Sequence, residues 1–289
     1  MITFLSQRNE SQRQEEKMEP GKEPVYQSDL TDEAWKIIFS LFPEPKSGPG
    51  KPGRPASDLR RIVNGILYVN RTGCRWRMLP KEFGPRSTVY GYFRKWSKAD
   101  LWENIMNALR KRERKRQGRE EEPSAGSVDS QSVKSSLQGC AVGFDGGKMV
   151  KGRKRHIFAD TLGIILAVIV TPANEGERNG LKKLMKNYFG KGVLRLRKIW
   201  VDAGYSGSPL RQRVETLSED FRVDLEMTEN KGKGFNVVRK RWVVERTFAW
   251  IFNFRRNSKD YEVLTENGEA MIQISMISIL VRRLAQQGF

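Results

Sequence analysis

The chain is 289 residues long, 38% hydrophobic and 10% aromatic, enough for two domains or for one with appendages. Its longest apolar run near the end, "MIQISMISILV", is about half of what a spanning helix needs, so no membrane partner is expected. The formal net charge of +19, from 53 basic against 34 acidic residues, calls for a polyanionic partner; nucleic acid leads, and ribosomal or membrane-surface proteins share the bias.

Two cysteines, Cys74 and Cys140, and one histidine, His156, exclude a disulfide framework and make no structural zinc site. The N-terminus has a short apolar start and then turns polar, with no secretory signal, so a cytoplasmic chain is expected. Residues 1–26 mix charges without periodicity and read as a disordered tail. Thr31 caps "TDEAWKIIFSLF", whose Trp35, Ile38 and Phe39 (or Leu41 and Phe42) share a helical face. A Pro/Gly loop follows; its "KPGRP" has the character of basic arms that enter DNA minor grooves, or of a loop with incidental charge. Ser57 opens a second helix, with Leu59, Ile62, Val63, Ile66 and Leu67 at helical spacing. Ser87 caps a third, which buries Val89, Tyr92, Phe93 and Trp96 and turns Thr88, Tyr90, Arg94 and Lys95 outward. A fourth runs from about Lys98 to Arg116. Residues 27–116 thus read as a small all-helical, helix-turn-helix-like DNA-binding domain, or as a bundle whose basic face is only solvated. Residues 117–126, charged and then rich in Pro, Ser and Gly, read as a linker.

Over residues 127–289 the texture changes to short strands. "SVDSQSV" is the first; "KRHIFAD" and "GIILAVIVTPAN" flank a turn and read as a hairpin. A helix from about Glu177 to Tyr188 leads to the strand "KIWVD". "SPLRQRVETLS" then reads as a helix, "FRVDLEMT" as a strand, and "RKRWVVERTFAWIFNF" as a long helix whose Trp242, Phe248 and Trp250 are assigned to the core. A last helix over 267–286 is expected against the sheet. Five strands with interspersed helices make a mixed-sheet α/β layout.

Three acids stand out: Asp129 in the first strand, Asp202 at the end of "KIWVD", and Glu245 in the long helix. Adjacent strands can place two aspartates about 5 Å apart, and a helix packed over them can add a glutamate. Three converging acids need a cation, and hard divalent ions prefer oxygen ligands. Duller roles fit each acid singly. Asp202 can accept turn amides, Glu245 can pair with Arg241 one helical turn back, and Asp129 can be a solvated strand end. Asp145 and Asp160 compete for the same part. Basic residues crowd nearby: Lys148, Lys151, Arg153, Lys154 and Arg155 fall within eight positions and suit a strip against phosphates, or a solvated strand entry.

The stretches "VDSQSVK", "FDGGKMVKGRKRHIFADTLG", "VDAGYSG" and "RWVVERTFAWIFNFRRNSKDYE", with "GRPASDLRRIVNGILYVNRTGCRWRMLP" before them, resemble bacterial insertion-sequence DDE transposases of the family numbered five. The resemblance runs from about residue 27 onward. It implies a ribonuclease-H-like mixed five-stranded sheet with flanking helices and a triad of Asp129, Asp202 and Glu245 holding Mg²⁺ or Mn²⁺, two ions. It also implies binding of the element's terminal inverted repeats, cleavage at its ends, and joining of the 3′-OH ends to target double-stranded DNA by a homodimer in the nucleoid. Around the glutamate, Arg241 matches the family pattern, whereas Val238 and Phe252 stand where a tyrosine and a lysine are usual. Arg246, Arg255, Arg256 and Lys259 are the candidates to make those DNA contacts instead. A metal-dependent nuclease without joining activity, and a catalytically inactive DNA-binding protein, are the alternatives.

Overall fold

The structure, a computed structural model, describes residues 26–44, 57–135, 140–190, 195–202, 223–228 and 241–286. The "KPGRP" arm, the "SPLRQRVETLS" helix and nearly all of the expected tail lie outside the described residues. Tyr26, the last residue assigned to the tail, packs its ring on Tyr68 and Phe83 at 4.8 and 5.3 Å between centroids.

Four helices come first: α1 Asp32–Phe39, α2 Leu59–Thr72, α3 Arg86–Lys98 and α4 Leu101–Arg116. Thr31 Oγ1 caps α1 by accepting from Ala34 N at 3.2 Å. Asp58 rather than Ser57 caps α2, accepting from Arg61 N, and α2 stops at Gly73, whose φ of 72° suits a residue without Cβ. The strands are β1 Ala125–Lys134, β2 Gly143–Asp145, β3 Val150–Asp160, β4 Ile165–Pro172, β5 Lys198–Asp202 and β6 Asp224–Thr228. Helix α5, Glu177–Phe189, follows β4; α6, Trp242–Phe252, and α7, Thr265–Ala285, follow β6.

β1 lies at the centre of the sheet, antiparallel to β3 and parallel to β5; β4 pairs the far edge of β3, and β6 pairs β5 in parallel. This is the ribonuclease-H-like mixed sheet with flanking helices. It has one strand beyond the five expected: β2, only three residues long and too short to show a period.

Strand alternation sorts the two faces of the sheet. Val128, Phe158, Ile199 and Val201 pack with Leu181, Leu184 and Met185 of α5. The opposite face, with Ile157, Ala159, Val168 and Val170, packs under Val244 and Ile251 of α6 and under α7. That second core is continuous with Ile38, Ile66, Phe93, Trp102 and Leu109 of α1–α4. Helix α7 thus serves both sides, the sheet and the helical segment. Asn70 in α2 donates to Met271 O at 2.9 Å, and Ser275 of α7 bridges Asn70 to Asn257. Arg114 of α4 is buried in a salt bridge with Asp160 at the β3–β4 turn. In residues 117–126, Glu122 pairs with Arg110 and Lys111, and Ala125 and Gly126 belong to β1.

Candidate active site

Val128 and Val201 face α5, so their neighbours Asp129 and Asp202 face the other way, toward α6. The β1–β5 register pairs Ser127 with Trp200, and two residues further it brings Asp129 level with Asp202. Helix α6 lies across β1 and β3, with Val244 and Phe248 in the core and Glu245 on its exposed side. The three acids meet at one guanidinium. Arg241 Nη1 is 2.8 Å from Asp202 Oδ1, Nη2 is 3.9 Å from Asp129 Oδ2, and Nε is 3.4 Å from Glu245 Oε1. Side-chain exposure rises from 17% at Asp129 through 29% at Asp202 to 56% at Glu245, so the site opens outward from β1.

Burial pushes the Asp129 carboxyl up to about 6, and the charge of Asp202 adds to that push. Opposing it are the Ser130 backbone N–H, which Asp129 accepts at 2.7 Å, and the charges of Arg241 and Lys148. Lys148 is itself held in place, donating to Ser130 O at 3.2 Å with Glu177 Oε1 at 3.8 Å. Ser130 Oγ also donates to Glu177. No local pattern points to this Ser130–Glu177 support, since 47 residues separate the two.

The rival acids have structural duties. Burial raises the Asp145 carboxyl, but the Ser132 hydroxyl, the Lys148 backbone N–H and the Lys154 ammonium outweigh it and hold it at about 2. Asp160 is fully buried against Arg114 and accepts the Leu162 and Ile164 N–H groups of its turn.

The basic strip divides in two. Lys148 and Lys151 are exposed, whereas Arg153, Lys154 and Arg155 are buried, which removes those three from any surface that DNA can touch. Arg153 pairs with Asp260 at 3.0 Å and donates to the carbonyls of Glu262 and Val263. Lys154 meets Asp145 and Glu175 O, and Arg155 donates to the carbonyls of Asn257 and Lys259. Arg256 is likewise withdrawn, buried against Glu262 at 2.7 Å and donating to Cys74 O. Arg255, Lys259, Arg94 and Lys95 stay exposed, and Tyr90 is half-buried against Trp76 and Phe93. Arg246 donates to Leu162 O and lies between the rings of Trp242 and Trp250 at 4.4 and 4.6 Å. Of the aromatics assigned to the core, Phe248 is buried, Trp250 is half-buried, and Trp242 is 41% exposed. His156, the single histidine, is buried near Gly180, pushed down to about 3 chiefly by burial, and shares a hydrogen bond with Thr171.

A family-implied divalent ion can be tested against these groups. The donor set fits: three carboxylates around a point that already attracts a cation, with neither sulfur nor imidazole among them. Among the described residues no three Asp, Glu, His or Cys side chains are arranged to hold one ion as they stand. The guanidinium stands between the three carboxylates.

The fold and the site define a ribonuclease-H-like α/β protein with an acidic cluster under the helix that follows its sheet. Residues 120–280, more than half of the chain, match the family described as "Transposase DDE domain", and the chain belongs to it. Residues 30–106 match "Putative transposase of IS4/5 family". Two relatives come from Burkholderia cepacia. "Insertion element IS402 uncharacterized 16.2 kDa protein" is 40% identical over 83 residues, 28% of this chain and 56% of that protein. "Putative transposase for insertion sequence element IS402" is 32% identical over 111 residues, 36% of this chain and 51% of that protein. The chain thus spans about half the length of each. A solved structure, "Crystal structure of the Mos1 Strand Transfer Complex", aligns over 96% of this chain and 91% of its own at 11% identity, with a TM-score of 0.24.

Proposed function

We propose that the chain is the transposase of an insertion sequence, with Asp129, Asp202 and Glu245 as the acids that carry its chemistry. The observation behind this reading is their convergence on one cation, on the face of the sheet that α6 covers, within a DDE-family chain. The reaction has two displacements at phosphorus. Water first opens the phosphodiester at each element end and leaves a 3′-OH. That hydroxyl then attacks a target phosphodiester and expels the target's own 3′ oxygen. Asp129, Asp202 and Glu245 would hold Mg²⁺ or Mn²⁺, one ion or two. Bound there, such ions would activate the attacking oxygen and offset charge on the leaving one. Asp129, the most buried of the three, has its orientation set by the Ser130 N–H and defines the floor of the site.

Exposed cations on two sides suit the DNA backbone. Lys148, Lys151, Arg255 and Lys259 lie on the sheet and α6 side, and Arg94 and Lys95 lie on α3. We assign the inverted repeats to the α3 face and the cleaved end to the acids, with two chains pairing two ends in the nucleoid of the cytoplasm. Among the described residues no helix is long and apolar enough to cross a membrane. The test incubates the purified chain with DNA carrying the gene's flanking ends and Mg²⁺ or Mn²⁺. Cutting at those ends and joining of the 3′-OH to a second duplex are expected, both lost in Asp129→Asn, Asp202→Asn and Glu245→Gln while binding persists. Cutting without joining would leave a nuclease; binding without cutting would leave an inactive DNA-binder.

A further inference from the structure

We propose that Arg241 is a displaceable counter-ion of the acidic site. It neutralises Asp129, Asp202 and Glu245 in the ion-free protein and competes with divalent ions for the same three carboxylates. This rests on the reading of those acids as an ion site.

The geometry sets it apart from an ordinary helix pair. A salt bridge between Arg241 and Glu245 alone would be the usual contact one helical turn apart. Here the same guanidinium also reaches Asp202 on β5 and Asp129 on β1, so its planar fork spans all three elements that build the site. Three carboxylates facing one another repel, and a guanidinium bearing one charge offsets only part of that repulsion. A divalent ion carries twice the charge and binds the same oxygens, so ion and guanidinium exclude each other. Arg241 can leave. It flanks the first turn of α6 rather than lying inside the helix, and its side chain is 25% exposed. Lys148, whose charge acts on Asp129, is an exposed cation as well, so a released guanidinium would join a surface suited to phosphate. Entry of ions and recruitment of Arg241 to the DNA side would then be one event.

The experiment titrates Mn²⁺ into the full chain without DNA, following calorimetric binding and the thermal midpoint in chelator and in Mn²⁺. The proteins are wild type, Arg241→Gln, Arg241→Lys and Asp202→Asn. Asp202→Asn is expected to lose Mn²⁺ binding. Arg241→Gln should bind Mn²⁺ about tenfold tighter, melt lower in chelator, and gain more from Mn²⁺ than wild type does. Arg241→Lys keeps a charge but cannot bridge three carboxylates, so it should fall between the two. If wild type and Arg241→Gln bind Mn²⁺ equally while Asp202→Asn does not, the competition is refuted and the acid site stands. If Arg241→Gln does not fold, wild-type affinity in Arg241→Lys refutes it just as well. If Asp202→Asn binds like wild type, the acid reading itself falls, and this inference with it.

Discussion

Replacing Arg153 by alanine separates two accounts of the basic strip, one as DNA surface and one as internal clamp. The guanidinium is 1% exposed and pairs with Asp260, itself 2% exposed, at 3.0 Å. It also donates to the carbonyls of Cys140, Ala141, Glu262 and Val263 at 3.1, 3.3, 2.8 and 2.6 Å. Alanine would leave the Asp260 carboxylate buried without that cation, a change that typically costs about 3–5 kcal/mol. At roughly 2–4 °C per kcal/mol for chains of this size, the thermal midpoint should fall by about 6–20 °C. Thermal unfolding followed by circular dichroism measures it. Lys151→Ala, one pleat away but exposed, should leave the midpoint within about 2 °C and lower the salt slope of DNA binding by about one unit. Adding Asp260→Asn to Arg153→Ala should recover part of the loss, with a coupling of about 2 kcal/mol. The reverse pattern, in which Arg153→Ala keeps its midpoint and lowers the salt slope, would sink the clamp account and return Arg153 to the DNA surface.

Three further outcomes can be checked. A Cβ on Gly180 would come within 2.0 to 2.6 Å of three atoms of the His156 ring, so Gly180→Ala should push α5 off the sheet. It should cost about 1–3 kcal/mol or more by chemical denaturation, and an unchanged midpoint would refute the contact. Burial chiefly pushes the Glu269 carboxyl from 4.5 to about 7, so wild-type stability should drop as pH rises through that window, where the unfolded chain ionises first. Glu269→Gln should therefore match wild type below the window and exceed it above pH 7 by up to about 3 kcal/mol, in denaturant titrations at several pH values; equal pH curves would refute it. Residues 117–289 expressed alone would expose the flank of α7 that α1–α4 cover, and should aggregate or bind a hydrophobic dye; a soluble fragment with a cooperative melt would show that they fold without α1–α4.

Where a local pattern sufficed, the sequence showed the structure. The apolar run in "KIWVD" marked a strand with Asp202 at its end, and "SVDSQSV" marked the strand that carries Asp129. The spacing from Arg241 to Glu245 announced their pairing. What was illegible depended on partners far away in the chain. "KGRKRH" looks solvated because nothing within it shows Asp260, 107 residues on, or the Asn257 carbonyl, 102 residues on. Its alternation is silent as well, because β3 is covered on both faces and consecutive charged residues are buried. The continuity of the core from α7 into α1–α4 was illegible for a similar reason. Most of α7 is buried around its circumference, which marks a helix enclosed on several sides rather than one lying on a sheet. The periodicities of α1–α4 disclose their apolar faces but not what covers them.

The buried cations explain how the acids come to be aligned. Glu245 is delivered by α6, and the segment directly after α6 is tied down from two directions. Arg153 and Arg155 bind it to β3 through Asp260 and the carbonyls of Asn257, Lys259, Glu262 and Val263. Arg256 binds it to the helical segment through Cys74 O, and Glu262 fixes Arg256 in turn. Helix α6 is thus anchored at its C-terminal end, while at its N-terminal end Arg241 spans the three acids with a partly exposed side chain. A clamp at one end and an exchangeable cation at the other would let the acid geometry respond to what enters the site without loosening the fold. The large basic surplus therefore serves two ends: inward arginines set the position of the glutamate, and outward lysines and arginines remain for the proposed DNA.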